Sequence, residues 1–224
     1  MTQLMTVIAD QATYWDRYAA NTPERTPQEA LEGAFGWTQY PGHGPGNEVL
    51  GDPATALELG CGHGDAVAAL ALNGVEATGI DLSAAHVTSA RATWGHLPGA
   101  HFHQADAVDY LTSASRRWEA IYSIWGAAWF TDPDRLLPAV HDRLTSGGRL
   151  VFSHAPAIPG SYGRQGTYGA GYAGPQVWIY RWAYEPGAWV ELLRRYGFRH
   201  VRARVEPAPE PDHVGTLLVE AARP

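Results

Sequence analysis

The segment Ala56–Ala68, ALELGCGHGDAVA, does most to limit how this chain can fold. An apolar run ends on an acid, and three glycines follow at alternate positions, Gly60, Gly62 and Gly64. Residues 54–59 read as a buried strand, and the Ala-rich stretch 65–72 reads as the helix it feeds. The glycines between them permit a sharp turn and let a ligand approach the main chain without meeting a Cβ atom. The helix start also presents N–H groups that the helix leaves unpaired. A polar ligand is expected there. The dinucleotide fingerprint G-x-G-x-x-G fits the spacing imperfectly, because Asp65 stands where its third glycine belongs.

Beyond this turn the pattern alternates strand and helix, the sign of a parallel sheet covered on both faces. Strands are expected at 77–80, 100–104, 120–125 and 149–153, with helices at 83–94, about 108–112 and 134–144. An irregular region rich in Gly, Tyr and Trp occupies 155–184. A helix over 187–196, a strand at 200–205, the proline-broken turn EPAPEP and a last strand at 216–221 close the chain, the two strands forming an antiparallel hairpin. Upstream, apolar positions between 4 and 20 suggest amphipathic helical turns, and Thr26 with Pro27 opens a short helix that Gly33 ends.

Glu58-Leu59-Gly60-Cys61-Gly62-His63-Gly64 resembles, at every defined position, the E/D-x-G-x-G-x-G signature of the class I S-adenosylmethionine-dependent methyltransferases. The order of elements over 54–222 is similar to that fold as well. The resemblance implies an α/β Rossmann-like sheet of seven strands, mostly parallel with a C-terminal antiparallel hairpin and helices on both faces. It also implies S-adenosylmethionine as cofactor, S-adenosylhomocysteine as product, and no metal. Glu58 would help arrange the turn, or simply cap its N–H groups, and the backbone of Gly60, Cys61 and Gly62 would meet the methionine moiety. Asp81, beside Leu82, ends the second strand, where a carboxylate can accept from both ribose hydroxyls; that chemistry serves NAD equally, and a capping role is the plainer alternative. Asp106 would accept from the adenine amino group and the Ala107 N–H would meet a ring nitrogen. The resemblance also puts Ser123 at the cofactor, and has Tyr14, Trp15 and Tyr18 on a first helix folding over it, unless they only pack on the sheet.

Residues 123–130, SIWGAAWF, resemble the family segment beside the transferred methyl, without the Asn/Asp-Pro-Pro-aromatic motif of nucleic-acid amino-methyltransferases or the ligand set of the magnesium-dependent catechol type. His101 and His103 are too few for a metal site. His154, directly after the fifth strand, is the candidate general base at the pocket mouth. Trp37, Trp125, Tyr168 and Trp178 are the candidate substrate contacts, Tyr168 and Trp178 belonging to an aromatic set in 155–184 suited to line a pocket.

At 224 residues the chain suits one α/β domain, with 1–53 as a helical lid and loop and 54–224 as the core. A net charge of −7 argues against nucleic-acid or anionic-membrane partners. The sixteen basic residues are all Arg, read as codon bias in a GC-rich genome. The single Cys61 allows no internal disulfide, is too lacking in activating neighbours to suggest a nucleophile, and fits a cytoplasmic location. The start reads as no secretory signal, and no apolar run is long enough for a membrane helix. The expected activity is methyl transfer to a small, specialised metabolite. A macromolecular acceptor, tRNA or protein, touched by Arg194, Arg195, Arg199, Arg202 and Arg204 is the alternative, followed by a nucleotide-binding module without catalysis or an NAD-dependent reductase. Oligomeric state is not specified by any of these features.

Overall fold

A computed structural model describes residues 11–23, 25–169 and 177–224. Two helices come first, α1 (Gln11–Ala20) and α2 (Pro27–Glu32). Thr26 caps α2 reciprocally with Glu29, and Gly33 ends it, as the Thr-Pro…Gly pattern requires. The alternating part follows: β1 (Thr55–Leu59), α3 (Asp65–Leu72), β2 (Glu76–Asp81), α4 (Ala84–Trp94), β3 (Ala100–Gln104), α5 (Ala107–Ser113), β4 (Trp118–Ile124), the single turn α6 (Ala127–Phe130), α7 (Pro133–Arg143) and β5 (Leu144–His154). A ribbon of β6 (Gly163–Gly169) and β7 (Val177–Ala183) intervenes before α8 (Pro186–Arg195), β8 (Arg199–Glu206) and β9 (Thr216–Ala222).

Seven of these strands form one sheet in the order β3-β2-β1-β4-β5-β9-β8, parallel except for β9, which pairs antiparallel with both β5 and β8. The expected sheet with its terminal hairpin is therefore present. Both sheet faces are covered. Leu57, Leu59 and Ile121 pack with α5, α7 and α8 on one side, while Ala56, Ala120 and Tyr122 pack with Trp37, α3 and α4 on the other. Trp37, Trp118 and Trp189 are fully buried, each large ring contributing about 2–3 kcal/mol by leaving water. The strand order reverses at β1, which lies between β2 and β4, and the crevice outside the C-terminal ends of such strands is where open α/β sheets take ligands.

The ribbon is the main departure from the expected irregular 155–184 region. Its register pairs Gln165 with Arg181 and Gly163 with Ala183. Because side chains alternate across a strand, Ile179, Arg181 and Ala183 share one face, and Ile179 and Ala183 on it are buried. Tyr180 and Trp182 occupy the opposite face. β7 packs on α6 and touches α1, so the ribbon lies over the β4 end of the sheet.

Candidate active site

A cavity of about 270 Å³ lies along the C-terminal ends of β1, β2, β3 and β4. Its wall includes Gly60 and Gly62 from the β1 turn, Asp81 and Leu82 from β2, Asp106 and Ala107 after β3, and Trp125 to Ala127 after β4. Trp15 and Tyr18 of α1 and Phe130 of α6 cover it. Three sequence-expected strand ends thus meet in one cleft.

The glycine turn is shaped by two different needs. Gly60 has φ 80°, and a Cβ there would lie 2.6 Å from the Ala127 nitrogen, so the turns after β1 and β4 touch backbone to backbone. Gly62 has φ 51° with no atom within 4 Å of a Cβ position, leaving its main chain open to the cavity. Asp81 holds this loop: its Oδ2 accepts from the Gly62 N–H at 2.9 Å and its Oδ1 from the Ser83 N–H at 2.8 Å. Each oxygen keeps a second lone pair for a ligand. Asp106 caps α5, one oxygen accepting from the N–H groups of Val108 at 2.9 Å and Asp109 at 3.1 Å. Its other oxygen and the N–H of Ala107, which as a first helical residue has no partner in its own helix, remain for a ligand. Capping and ligand binding are here compatible uses of the same carboxylates.

Glu58 does not line the cavity among the described residues. It is buried behind the turn, receiving a 3.3 Å hydrogen bond from the Tyr122 hydroxyl. Burial pushes its carboxyl well above the usual range, and Asp65 pushes the same way against the Tyr122 bond. Cys61 is buried beside it, its thiol raised well above the usual value by burial and then by Glu58, so it stays protonated and unreactive.

Ser123 is also fully buried. Its hydroxyl donates to the Leu59 carbonyl at 2.7 Å and accepts from the Ala128 N–H at 3.1 Å, tying β1, β4 and α6 together just behind the cleft. Trp125, the next residue but one, adopts φ 52°, a left-handed conformation rare for a bulky side chain. Two hydrogen bonds hold it there: its N–H to the Ser153 carbonyl at 3.0 Å and its indole N–H to the Trp37 carbonyl at 3.1 Å. Trp37 itself does not reach the cavity; it is fully buried, bonded to the Gly46 carbonyl, and supports Trp125 from behind.

On α1, Trp15 and Tyr18 line the cleft and Tyr14 packs edge-on against Trp15. Trp15 meets Phe130 across the opening at 4.7 Å. The helix contains no buried residue, and besides these ring contacts Asp16 ties it to α4, its carboxylate accepting from the Ser83 hydroxyl at 2.6 Å and the Ala85 N–H at 3.1 Å. Sequence reading missed Asp16, as it missed His63 and His86. These two imidazoles line the cavity 4.9 Å apart, and His86 Nδ1 stands 3.6 Å from Asp81 Oδ1. Burial, and then His86, holds His63 below its ordinary pKa.

His154 differs from its expected place at the pocket mouth. Lying at the end of a strand covered on both faces, its ring is fully buried. It stacks on Trp129 with planes 3° apart, and burial lowers its pKa to about 4. Nδ1 donates to the Ala155 carbonyl at 2.7 Å, and Nε2 has no partner. Trp178 is half-buried on the ribbon and does not line the cleft. The side chain of Tyr168 and the whole of Tyr172 lie outside the described residues. Among the described residues no three His, Cys, Asp or Glu converge as a metal site, and no helix is long and apolar enough to cross a membrane.

A family model for the methyltransferase domain matches residues 56–148. The trans-aconitate 2-methyltransferase of Paracidovorax citrulli is 34% identical over 97 residues, 42% of this chain and 36% of that protein. The chain thus spans about a third of the length of the curated relatives it matches. Among solved structures, a Listeria monocytogenes protein assigned to the S-adenosylmethionine-dependent methyltransferases superposes with a TM-score of 0.62 at 19% identity, over 76% of this chain and 91% of that one. The Burkholderia thailandensis 1,6-didemethyltoxoflavin N1-methyltransferase, solved with its acceptor and S-adenosylhomocysteine, gives 0.58 at 20% identity over 91% and 92%. With the glycine turn and both strand-end acids in place, residues 56–148 match the methyltransferase domain family, set in a sheet with the fold of the S-adenosylmethionine-dependent methyltransferase structures.

Proposed function

We propose that this protein transfers a methyl group from S-adenosylmethionine to a small organic acceptor. The observation that carries the reading is the convergence of Gly62, Asp81 and Asp106 on one cleft, in the strand order that suits an amino acid, a ribose and a purine. The residues fit the cofactor: Gly62 leaves open space above its main chain, and Asp81 and Asp106 each keep acceptor capacity after their internal bonds. When bound, S-adenosylmethionine supplies a sulfonium-activated methyl, so the protein needs mainly to orient a nucleophile and keep water away. Trp125, Phe130 and Trp15 form an apolar rim for that purpose. At this end of the cleft the described lining, Trp125 to Ala127, Phe130 and Thr131, holds no group that titrates near neutrality. His154 lies behind Trp129 with its protonated form disfavoured. Among the described residues no base stands at this end, the imidazoles of the cleft, His63 and His86, lying beside Gly62 and Asp81.

A small acceptor is supported by relatives whose names specify trans-aconitate and 1,6-didemethyltoxoflavin, and by the net charge of −7, which suits RNA poorly. The aromatic ribbon, packed on the α6 and α1 elements that border the cleft, favours a specialised metabolite. Thermal stabilisation by S-adenosylhomocysteine but not by NADH is the expected result, since only the true ligand shifts folding by mass action. Equal effects of the two, or none, would remove the cofactor assignment. Incubation of host extract with protein and labelled S-adenosylmethionine should then yield a low-molecular-weight labelled product.

A further inference from the structure

Resting on the methyl-transfer reading, we infer that the acceptor is a carboxylic acid and that Arg181 of the ribbon receives its carboxylate. Arg181 shares the inward face of β7 with the buried Ile179 and Ala183, half-buried itself. Its guanidinium lies over the Trp129 ring, 5.4 Å from the centroid, and its Nε donates to Gln165 Oε1 at 3.2 Å. Trp129 in turn meets Trp125, at 5.8 Å between ring centroids, and Trp125 lines the cleft. A single indole therefore separates Arg181 from the cavity wall.

What singles out this cation is partial burial without an oxygen anion or a main-chain carbonyl to meet it. Among the described residues Arg25, Arg195 and Arg204 are paired with carboxylates and the half-buried Arg143 and Arg223 donate to main-chain carbonyls, whereas no acid lies within 4 Å of the half-buried Arg181. Withdrawing a guanidinium from water without an anion is costly, and the cost is recovered when an anion arrives. Gln165 fixes the plane of the group through Nε and leaves both terminal nitrogens, which present the edge a planar carboxylate matches. The indole N–H of Trp129 and Nε2 of His154 beside it are buried without hydrogen-bond partners, a second sign of unmet polar demand at this place. One monovalent cation balances a carboxylate, whereas a phosphate dianion calls for more positive charge than the described ribbon face holds. Arg164, the other basic residue of the ribbon pair, is on the opposite face, stacked on Tyr180. Arg181 is thus a specificity residue that selects the acceptor by charge.

The test uses the full chain saturated with S-adenosylhomocysteine, titrated calorimetrically with a panel of small carboxylic acids, trans-aconitate among them, and with the primary amide of each. Acids should bind and their amides bind about tenfold or more weakly, the range of a charge-assisted hydrogen-bonded pair. Arg181→Gln should erase that preference with S-adenosylhomocysteine affinity unchanged, and Arg181→Lys should retain part of it. Should Arg181→Gln fail to fold, Gln165→Ala, which keeps the charge and frees its plane, must reduce the preference instead. Equal binding of acids and amides, no binding by any acid of the panel, or a preference that survives Arg181→Gln would overturn the inference. Failure of S-adenosylhomocysteine to bind would strike the cofactor reading instead, so the two failures are distinguishable.

Discussion

Asp16 on α1 caps the start of α4 from outside that helix, its carboxylate 2.6 Å from the Ser83 hydroxyl and 3.1 Å from the Ala85 nitrogen. Ser83 is two residues beyond Asp81, so one contact joins the cover of the cleft to the strand end proposed to hold the ribose. The Ser83 bond leads the effects that lower the Asp16 pKa, followed by the Ala85 N–H. Since the docked carboxylate has the lower pKa, docking is favoured above the ordinary Asp range and weakens as pH falls through the lowered value. Asp16→Ala should loosen α1 without unfolding the core, because Ser83 still caps α4 through the His86 N–H. Losing a cap of this kind costs about 1 kcal/mol, so S-adenosylhomocysteine should bind roughly fivefold more weakly. Amide exchange across 11–20 should rise as well. Unchanged exchange in that helix would show that other contacts hold it.

Asp81 is asked to do more than Asp106, and the two should respond differently to truncation. Asp81→Ala removes the acceptor that positions Gly62 as well as the proposed ribose contact, so S-adenosylhomocysteine binding should fall by about a hundredfold or more, the loss of two charge-assisted bonds. Asp81→Asn retains one carbonyl oxygen and should fall between that variant and the parent. Asp106→Asn keeps the cap and should cost about tenfold at most, read by the same calorimetry. An Asp81→Ala protein that binds like the parent would exclude the ribose assignment.

Asp106 was expected from the resemblance of its segment to the methyltransferase pattern, since 100–104 reads AHFHQ and is no apolar run. Asp81, by contrast, ends an apolar strand before a helix, a local pattern that fixes both position and direction. Gly60 and Gly62 were readable for the same reason. Asp16 was not, since its partner is 67 positions away and nothing local distinguishes it from a solvated helical acid. The segment VWIYRWA carries the β-branched and aromatic content of a strand, yet its neighbour GRQGTYG is so rich in glycine that the pairing partner is concealed, and the aromatics read as a pocket lining instead. Trp37 and His154 have residue types common in sites. Their burial depends on α2, α6 and the ribbon closing over both faces of the sheet, which no short window reveals.

The left-handed backbone of Trp125 yields a variant that separates strain from side chain. Trp125→Gly removes the unfavourable φ but also the indole that lines the cleft and bonds to Trp37. Relief of about 1 kcal/mol of backbone strain should partly offset the lost packing, leaving Trp125→Gly more stable than Trp125→Ala. Both should bind S-adenosylhomocysteine and both should lose methyl transfer by about tenfold or more, because the apolar rim is breached. If Ala proves the more stable replacement, the backbone at 125 is not constrained as described.

His154 makes a prediction about acid stability. Burial lowers its pKa to about 4, the Ala155 hydrogen bond opposing and the nearby Arg181 assisting, whereas in the unfolded chain it titrates near 6.5. The folded state therefore binds fewer protons than the unfolded one between these values. Stability from this group is fully present above pH 6.5 and is lost as pH falls toward 4, by roughly 3 kcal/mol in total. His154→Phe keeps a flat ring against Trp129 without a titrating nitrogen, so urea unfolding followed from pH 7 to pH 4 should show a shallower decline than the parent. Methyl transfer at pH 7 should be nearly unchanged, since the imidazole does not reach the cleft. A parent-like slope would show that the ring is accessible when folded, and a tenfold fall in turnover with loss of the acidic limb of its pH profile would identify His154 as a proton acceptor after all.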